Sequence, residues 1–455
     1  METKRGSFTG GIGFVIAAAS SAIGLGNLWR FPYLAAQYGG GIFILVYIIL
    51  ALTFGFTLMI TEIAIGRKTG KSPLIAYGEI SKKFKFLGYL AVLVPVIILP
   101  YYCVIGGWVI KYITVYLTGK HIEAGANGGA DYFLGFAGDT VSPLVFFLIF
   151  LTLTMIIVLA GVEKGIEKVS KLLMPILLFL MIAIAIYVVT LPGALDGVKY
   201  YLKPDFTKFS FKTVCGAMGQ LFYSMSLAMG IMITYGSYMK KDVSVNKSVA
   251  QIEIFDTLVA FLAGMMIIPA LYAAGGEEAL TSKGVGLMFM SLPSTFADMA
   301  SARIIGAVFF ILVLFAALTS SVSVMEAIVS CLMDKFNIKR TKACIGVFVV
   351  ALIMGVPSSL GFGVLSHIKP LGLDDILTFF DYISNSVLMP IVAFATCIMI
   401  GWVVGTKVVK EEVQVGGYKF KREKMYEIMI KYIAPVILVG ILIAYTLDAF
   451  GIVKM

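Results

Sequence analysis

Residues 10–37 read GGIGFVIAAASSAIGLGNLWRFPYLAAQ, an apolar stretch long enough to cross a membrane but broken in its middle. The break is the segment SSAIGLGN at 20–27, which is rich in small and hydroxyl-bearing residues. Such residues lower helix propensity, and their side chains compete for backbone hydrogen bonds. Backbone groups freed at this depth must face protein, ions or water, because lipid cannot satisfy them. The stretch therefore predicts a transmembrane helix that is interrupted at mid-membrane.

The composition of the 455-residue chain indicates a membrane protein. Hydrophobic residues make up 60% of it and charged residues only 14%, which is more apolar surface than a water-exposed exterior allows. The formal charge of +10 does not indicate nucleic-acid binding, because no basic run stands beside stacking aromatics in a soluble segment. With no soluble domain and no long linker in view, we expect an all-α polytopic membrane protein with a single transmembrane domain over 1–455.

Ten further apolar stretches are long enough to cross the bilayer as helices. The eleven predicted spans are approximately 10–37, 41–66, 87–118, 142–161, 167–191, 213–239, 248–275, 301–333, 341–360, 375–405 and 427–451. The loops near 192–212 and 276–300 are long enough to hold short helices or a lid.

Positive charge sets the predicted orientation. With the N-terminus inside, most of the 36 Lys and Arg residues fall in cytoplasmic segments, notably 67–85 and 335–342. External loops instead carry glycine and acids, as at 275–278. The positive-inside rule therefore predicts a cytoplasmic N-terminus and an external C-terminus. We expect a multi-pass protein of a bacterial inner (cytoplasmic) membrane, with the lipid bilayer as its surroundings.

The sequence offers no centre for enzyme chemistry. Its five cysteines are scattered and never form a CxxC pair, so small apolar packing residues are favoured over disulfides or metal ligands. The two histidines, His121 and His367, fall in predicted loops. The chain has no nucleotide-binding motif, which argues against a primary pump. We expect no enzyme activity and no nucleic-acid partner, and no obligate protein partner is evident.

The sixth span is interrupted in the same way as the first, by the segment YSMSLAMG at 223–230. Either break alone is more often a packing groove. Breaks at the first and sixth positions together indicate two inverted five-helix repeats, about 10–191 and 213–405, followed by an extra helix at about 427–451. This architecture is typical of transporters whose binding site lies at mid-membrane between the broken helices.

Three segments resemble signatures of the neurotransmitter:sodium symporter family. They are GLGNLWRFP at 24–32 followed by GGG at 39–41, QLFYS at 220–224 and AALTSS at 316–321. The resemblance runs from Lys4 through at least the tenth span, and eleven spans resemble the count in many bacterial members. It implies a fold with broken helices one and six, and sodium-coupled symport by alternating access.

The resemblance implies two sodium sites. The first would use Ala22, Asn27, Ser224 and Asp256, together with the substrate carboxylate. The second would use the carbonyls of Ser20, Ile23 and Ala316 and the hydroxyls of Thr319 and Ser320.

Two positions depart from the family pattern. Ser20 replaces the usual glycine, and Asp256 replaces the usual asparagine. The glutamate that substitutes for chloride in some bacterial members falls at Ala260, which cannot carry charge. We therefore expect Asp256 to supply that fixed negative charge, and transport to be independent of chloride.

The resemblance also implies the substrate pocket. The carboxylate is expected at Ala22, Gly26 and the Tyr102 hydroxyl, and the ammonium group at the carbonyls of Tyr223 and Ser226. The remaining contacts are expected from Ser21, Leu25, Ile98, Ser224, Met229, Ser320 and Val324. This wall offers no fixed charge, so a charged side chain would be poorly solvated.

Two further positions bear on the substrate. Gly24 stands where monoamine carriers of the family have an aspartate, which indicates a free amino acid. Ala228 stands where many relatives have glycine, which favours substrates from alanine to leucine or methionine in size over tryptophan.

Gates follow from the same resemblance. Arg30 and Asp381 match the outer ion pair, although a static structural bridge is the alternative. The inner latch is matched by Arg5, Phe8, Ser237, Tyr238 and Asp334. Glu62 is expected to bond the broken backbone, with a simple interfacial charge near Arg67 as the alternative.

The predicted function is sodium-coupled import of small, neutral, mostly hydrophobic L-amino acids. One alternative is the symport of an aromatic amino acid or another small zwitterion. A second is an amino-acid receptor of the same fold that does not transport. The intact gate residues and the absence of a signalling domain count against the receptor.

Overall fold

The architecture is all-helical in the computed structural model, which describes residues 6–125, 129–281, 284–297, 299 and 301–449. Within these residues the only β-type pairing is an isolated bridge between Gly40 and Pro204. The predicted fold class is confirmed.

Thirteen helices make up the membrane-crossing part of the described chain. They are α1 Gly11–Ala22, α2 Gly26–Gln37, α3 Gly41–Thr69, α4 Lys82–Leu117, α5 Ser142–Leu159, α6 Val162–Val189, α7 Phe211–Ser224, α8 Ile231–Ser237, α9 Val245–Leu280, α10 Ala302–Phe336, α11 Arg340–Leu360, α12 Ile376–Val403 and α13 Glu423–Leu447.

Nine of these helices are long and apolar enough to cross a membrane unbroken, within the described ranges. Helices α1 and α2 form one span bent by 50°. Helices α7 and α8 are separated by residues 225–230 and together occupy the predicted sixth span. Counting both broken spans gives the eleven that the sequence predicts.

The helix ends follow recognisable local signals. At α7, Ser210 and Thr213 form a reciprocal capping box. The side chain of Asp375 caps α12 by accepting from the Thr378 amide at 2.8 Å. The predicted fifth span begins at about 167, but α6 begins at Val162. The chain turns at Gly161, whose φ is +88°, immediately before α6 begins.

The broken sixth span packs tightly against α3. A Cβ added at Gly66 would collide with the backbone carbonyl of Ile233, and one added at Gly236 would collide with that of Ile63. Glycine on both helices allows the two backbones to approach closely, as is common where helices pack in lipid.

The predicted loops outside the membrane do contain short helices, at Ala194–Leu202 and Leu287–Ala297.

Candidate functional site

The two breaks lie side by side. Ser226 Oγ donates to the carbonyl oxygen of Ser21 at 3.2 Å, and the hydroxyls of the same residues are 3.3 Å apart. Gln220 Nε2 donates to the carbonyl oxygen of Gly26 at 2.9 Å. Polar groups released by the first break are thus met by side chains of the sixth span.

The sixth span is broken by residues in left-handed backbone conformations. Ser226 has φ +53° and Ala228 has φ +59°, values that cost free energy for residues other than glycine. Glu62 on α3 supports this segment, because its Oε1 accepts the Ala228 amide at 2.7 Å. The predicted bond between Glu62 and the broken backbone is confirmed.

A cavity with an empty volume of about 310 Å³ lies between the two breaks and α4 and α10. It is lined by Ser21, Ala22, Gly24, Gly26, Ile98, Tyr102, Tyr223, Ser226, Met229, Ser320 and Val324. Ten of these residues belong to the predicted pocket, and Gly24 is an addition. Leu25 and Ser224 are not among the lining residues. The Ser224 hydroxyl donates to Asp256, and the Leu25 amide donates to the hydroxyl oxygen of Tyr102.

One polar cluster joins α2, α7 and α9 beside this cavity. Asn27 Nδ2 donates to Asp256 Oδ1 at 2.8 Å and to Ser224 Oγ at 2.9 Å. Ser224 Oγ donates to the same Asp256 oxygen at 2.6 Å, and Tyr47 donates to Asp256 Oδ2 at 2.7 Å. Three predicted ligands of the first sodium site therefore meet around one carboxylate, and the fourth, Ala22, lines the adjacent cavity.

The oxygens of Asp256 and Ser224 are of a kind that suits a sodium ion, whereas Asn27 turns its amide nitrogen to this cluster and its Oδ1 to the Gly24 amide. Asp256 is fully buried, and no Lys or Arg nitrogen lies within ion-pair distance of it in the described part of the chain. A buried carboxylate without a cationic partner is costly. Neutral and anionic oxygens of this kind are the ligands that hard cations prefer.

A second polar cluster joins the end of α1 to α10. Ser320 Oγ lies within 3.0 Å of Ser21 O and 3.2 Å of Ile23 O. Within α10, the Thr319 hydroxyl donates back to the carbonyl oxygens of Phe315 at 3.0 Å and Ala316 at 3.1 Å. The Ser20 hydroxyl is buried and has no hydrogen-bond partner in the described residues. All five residues predicted for the second sodium site are therefore on the two helix segments that meet here. These oxygens also suit a hard monovalent cation.

Comparison with known proteins identifies the family. The model of the Sodium:neurotransmitter symporter family matches residues 5–122 and 135–451. An uncharacterised sodium-dependent transporter of Haemophilus influenzae is 32% identical over 97% of this chain and 98% of its own. Another from Bacillus subtilis is 35% identical over 86% of each chain. The crystal structure of MhsT in complex with L-phenylalanine superposes with a TM-score of 0.89 at 35% identity, over 97% of this chain and 100% of that one.

This chain belongs to the sodium:neurotransmitter symporter family. It is therefore a multi-pass membrane transporter that couples a small substrate to sodium, and not an enzyme.

On one side of the symporter's cavity the predicted outer pair is not in direct contact. Arg30 and Asp381 are both described, yet they form no ion pair within 4.0 Å. Arg30 instead lies over the Tyr223 ring at 5.6 Å. Asp381 Oδ1 accepts from Asn385 at 2.5 Å and from Tyr101 at 3.2 Å.

On the opposite side of the symporter, the predicted latch residues make several contacts. The Phe8 amide donates to Tyr238 O at 3.3 Å, and the Phe8 ring packs edge-on against Tyr235 and Tyr238. Asp334 Oδ2 accepts from the Ser72 amide at 2.7 Å. Ser237 Oγ donates to the Thr234 carbonyl on its own helix at 2.6 Å. Arg5, the remaining predicted latch residue, lies outside the described residues.

Three residues that take part in these polar contacts were not predicted from the sequence: Tyr47, Glu326 and Arg340. Tyr47 on α3 completes the shell around Asp256, but a tyrosine in an apolar run gives no signal of that role. Glu326 is fully buried, where it accepts from Tyr238 at 2.7 Å and binds Arg340 at 2.6 and 2.8 Å. An acid inside the eighth apolar span was a signal that could have been used.

Proposed function

We propose that this symporter imports neutral, apolar L-amino acids together with sodium. The observation that carries the proposal is the cavity at the junction of the two breaks, whose described lining contains no charged side chain. Only backbone groups, hydroxyls and helix ends are available there for a ligand's own charges. A zwitterion with an uncharged side chain fits this cavity, because these groups can bind its ammonium and carboxylate and no third charge has to be satisfied.

Tyr102 supports recognition of the carboxylate. Its hydroxyl oxygen accepts the Leu25 amide at 3.3 Å, which leaves the hydroxyl proton free to donate to a ligand. A Cβ at Gly24 would lie 2.5 Å from Ser320 Oγ and 2.9 Å from Tyr102 Oη. An aspartate at this position would fill the place where the substrate carboxylate is expected, which supports a free amino acid over an amine.

The size of the substrate is the least constrained part of the proposal. The lining consists largely of small side chains, and Ala228 stands in the adjacent segment where many relatives have glycine, which favours alanine-to-methionine side chains. An aromatic amino acid is the second candidate, because MhsT, similar over nearly the whole chain, was crystallised with L-phenylalanine.

Asp256 supports both coupling and chloride independence in this proposal. The carboxylate bonds Asn27 and Ser224, which follow the lining residues Gly26 and Tyr223 in the chain, so a first sodium ion there would share its shell with the substrate carboxylate. The Asp256 charge is fixed in the protein, so no chloride is required to balance the ion. The buried Ala260, one turn along α9, cannot contribute charge. The second sodium ion is proposed between α1 and α10.

Transport is proposed to proceed by alternating access between two five-helix repeats in a bacterial inner membrane, with the N-terminus in the cytoplasm. The closed contacts around Phe8 and Tyr238 represent the inner side, and Arg30 and Asp381 approach one another when the outer side closes. The sodium gradient and the membrane potential drive the cycle, the latter by about 2.3 kcal/mol per charge per 100 mV.

The test is uptake of a panel of radiolabelled amino acids into proteoliposomes, with an inward sodium gradient, with potassium instead, and with gluconate replacing chloride. Accumulation of apolar amino acids that requires sodium but not chloride supports the proposal. Accumulation restricted to phenylalanine, tyrosine and tryptophan selects the second candidate. Sodium-dependent binding without accumulation would indicate a receptor, and uptake without sodium would refute the central claim.

A further inference from the structure

The hydroxyl of Ser20 is an unexplained feature of the broken first span. Ser20 stands in the last turn of α1, is 3% exposed, and its Oγ has no hydrogen-bond partner among the described residues. Buried hydroxyls are normally satisfied, and leaving one without a partner costs free energy. A serine in a helix can bond its own backbone one turn back, but this one does not.

The carbonyl oxygen of the same residue is also released by the break. In a continuous helix it would accept the amide of Gly24, four residues on. That amide instead donates to Asn27 Oδ1 at 3.2 Å. Ser20 therefore presents two oxygen atoms, one from the backbone and one from the side chain, that the helix does not use.

The register of α1 indicates where the side chain of Ser20 is directed. Ser20 and Gly13 are seven residues apart and lie on one face of the helix. A Cβ at Gly13 would meet the carboxylate of Glu167 on α6, so this face is turned towards α6. The last turn of α1 also contacts α10 through Ser320, and α6 packs on α10. These contacts turn the Ser20 face of α1 towards α6, next to the helix α10 that carries Ala316 and Thr319.

We propose that the Ser20 hydroxyl is an additional ligand of the second sodium ion, beside the carbonyl of the same residue. This inference rests on the proposed function, in which the second sodium ion binds between α1 and α10. In this proposal the ion is surrounded by neutral oxygens only. They are the hydroxyl and carbonyl of Ser20, the carbonyl of Ile23 and the predicted oxygens of α10. The side-chain oxygen sets how tightly this shell holds the ion, because its dipole acts on a charge in a site shielded from water.

The experiment measures sodium binding to the purified, substrate-free protein with radioactive sodium, and its thermal midpoint in sodium and in potassium. Ser20→Ala removes the hydroxyl and keeps the carbonyl, and Ser20→Thr keeps both. Ser358→Ala is the matched control, because Ser358 is also a buried serine with an unpartnered hydroxyl but lies on α11. Each variant is also measured with Asp256→Asn, which weakens the first site, so that the remaining binding reports the second.

We expect Ser20→Ala to raise the half-saturating sodium concentration of the second site about tenfold, the scale of one lost bond to a charged partner. Its midpoint in potassium should be unchanged or higher, since an unsatisfied buried group is removed. Ser20→Thr and Ser358→Ala should bind sodium like the wild type. Wild-type affinity in Ser20→Ala would overturn the inference while leaving the proposed function intact, and so would a loss accompanied by a lower midpoint in potassium and not restored by Ser20→Thr. A wild-type protein that binds no sodium would overturn the proposed function itself.

Discussion

Asn27 and Asp256 are 229 residues apart in the chain, yet the amide nitrogen of Asn27 lies 2.8 Å from the carboxylate oxygen Oδ1 of Asp256. The contact joins the break of the first span to the middle of α9. It places a buried carboxyl group beside the cavity, with no Lys or Arg nitrogen within 4.0 Å of it among the described residues. The proposed link between sodium and the substrate depends on this contact.

Replacement of Asp256 by asparagine is expected to weaken sodium binding. The variant loses the charge and keeps the size of the side chain, so the half-saturating sodium concentration for uptake should rise at least tenfold. Sodium titrations of uptake in proteoliposomes measure this. Glu253→Gln is the matched control: Glu253 is also buried on α9, but it binds Arg422 at 3.1 Å outside the cluster. An equal loss in both variants would contradict a specific role for Asp256.

A methyl group added at Gly24 is expected to block substrate binding. Its Cβ would lie 2.5 Å from Ser320 Oγ, so either Ser320 or the break must shift. Uptake by Gly24→Ala should fall at least tenfold, since misplacement of binding groups by about 1 Å costs this much or more. Gly346→Ala, where no atom lies within 4 Å of the added carbon, should transport normally. Unchanged affinity in Gly24→Ala would show that the cavity is not the binding site.

Glycine at position 228 is expected to stabilise the protein. Ala228 holds φ +59°, and a left-handed alanine costs about 1 kcal/mol more than glycine. The thermal midpoint of Ala228→Gly should therefore rise, and the extra space should increase uptake of larger amino acids relative to alanine. Ala260→Gly, a buried helical position on α9, should lower the midpoint because glycine disfavours a helix. A lower midpoint in Ala228→Gly would contradict the strain at this residue.

Loss of Arg340 is expected to open the inner side. Glu326 is fully buried, and breaking a buried ion pair by removing one partner costs about 3–5 kcal/mol. In Arg340→Met the unpaired Glu326 carboxylate is expected to turn towards water, and its contact with Tyr238 should weaken as it moves. A cysteine placed at Ser21, in a background without the five native cysteines, should then react faster with a thiol reagent added on the cytoplasmic side. Lys199→Met removes an exposed pair with Asp196 and should leave this rate unchanged.

Much of the site was predictable because it is local in sequence. The segment 20–27 combines hydroxyl residues and glycine within an apolar run, and that combination is enough to predict a break. Glu62 is an acid inside a span, and its predicted bond to broken backbone is confirmed by the contact with the Ala228 amide. The start of α6 at Val162 lies five residues before the approximate start of the predicted span at about 167.

Other relationships could not be predicted, because they depend on how distant helices pack. Nothing near Tyr47 in the sequence indicates that its hydroxyl meets Asp256, and nothing near Arg340 indicates that it binds Glu326. The lack of a direct contact between Arg30 and Asp381 is also a property of the assembled helices, since the sequence specifies the pair but not its separation.

The sequence by itself determined an all-helical membrane protein with breaks in its first and sixth spans, because apolar length and helix propensity act within a single segment. The short motifs at 24–32, 220–224 and 316–321 also indicate the family. Only the tertiary structure decided that the breaks face each other across an uncharged cavity, that Asp256 has no cationic partner nearby in the described chain, and that the Ser20 hydroxyl is left without a hydrogen bond. These features arise when packed helices exclude water and lipid from polar groups, and a one-dimensional pattern does not specify which groups are enclosed together.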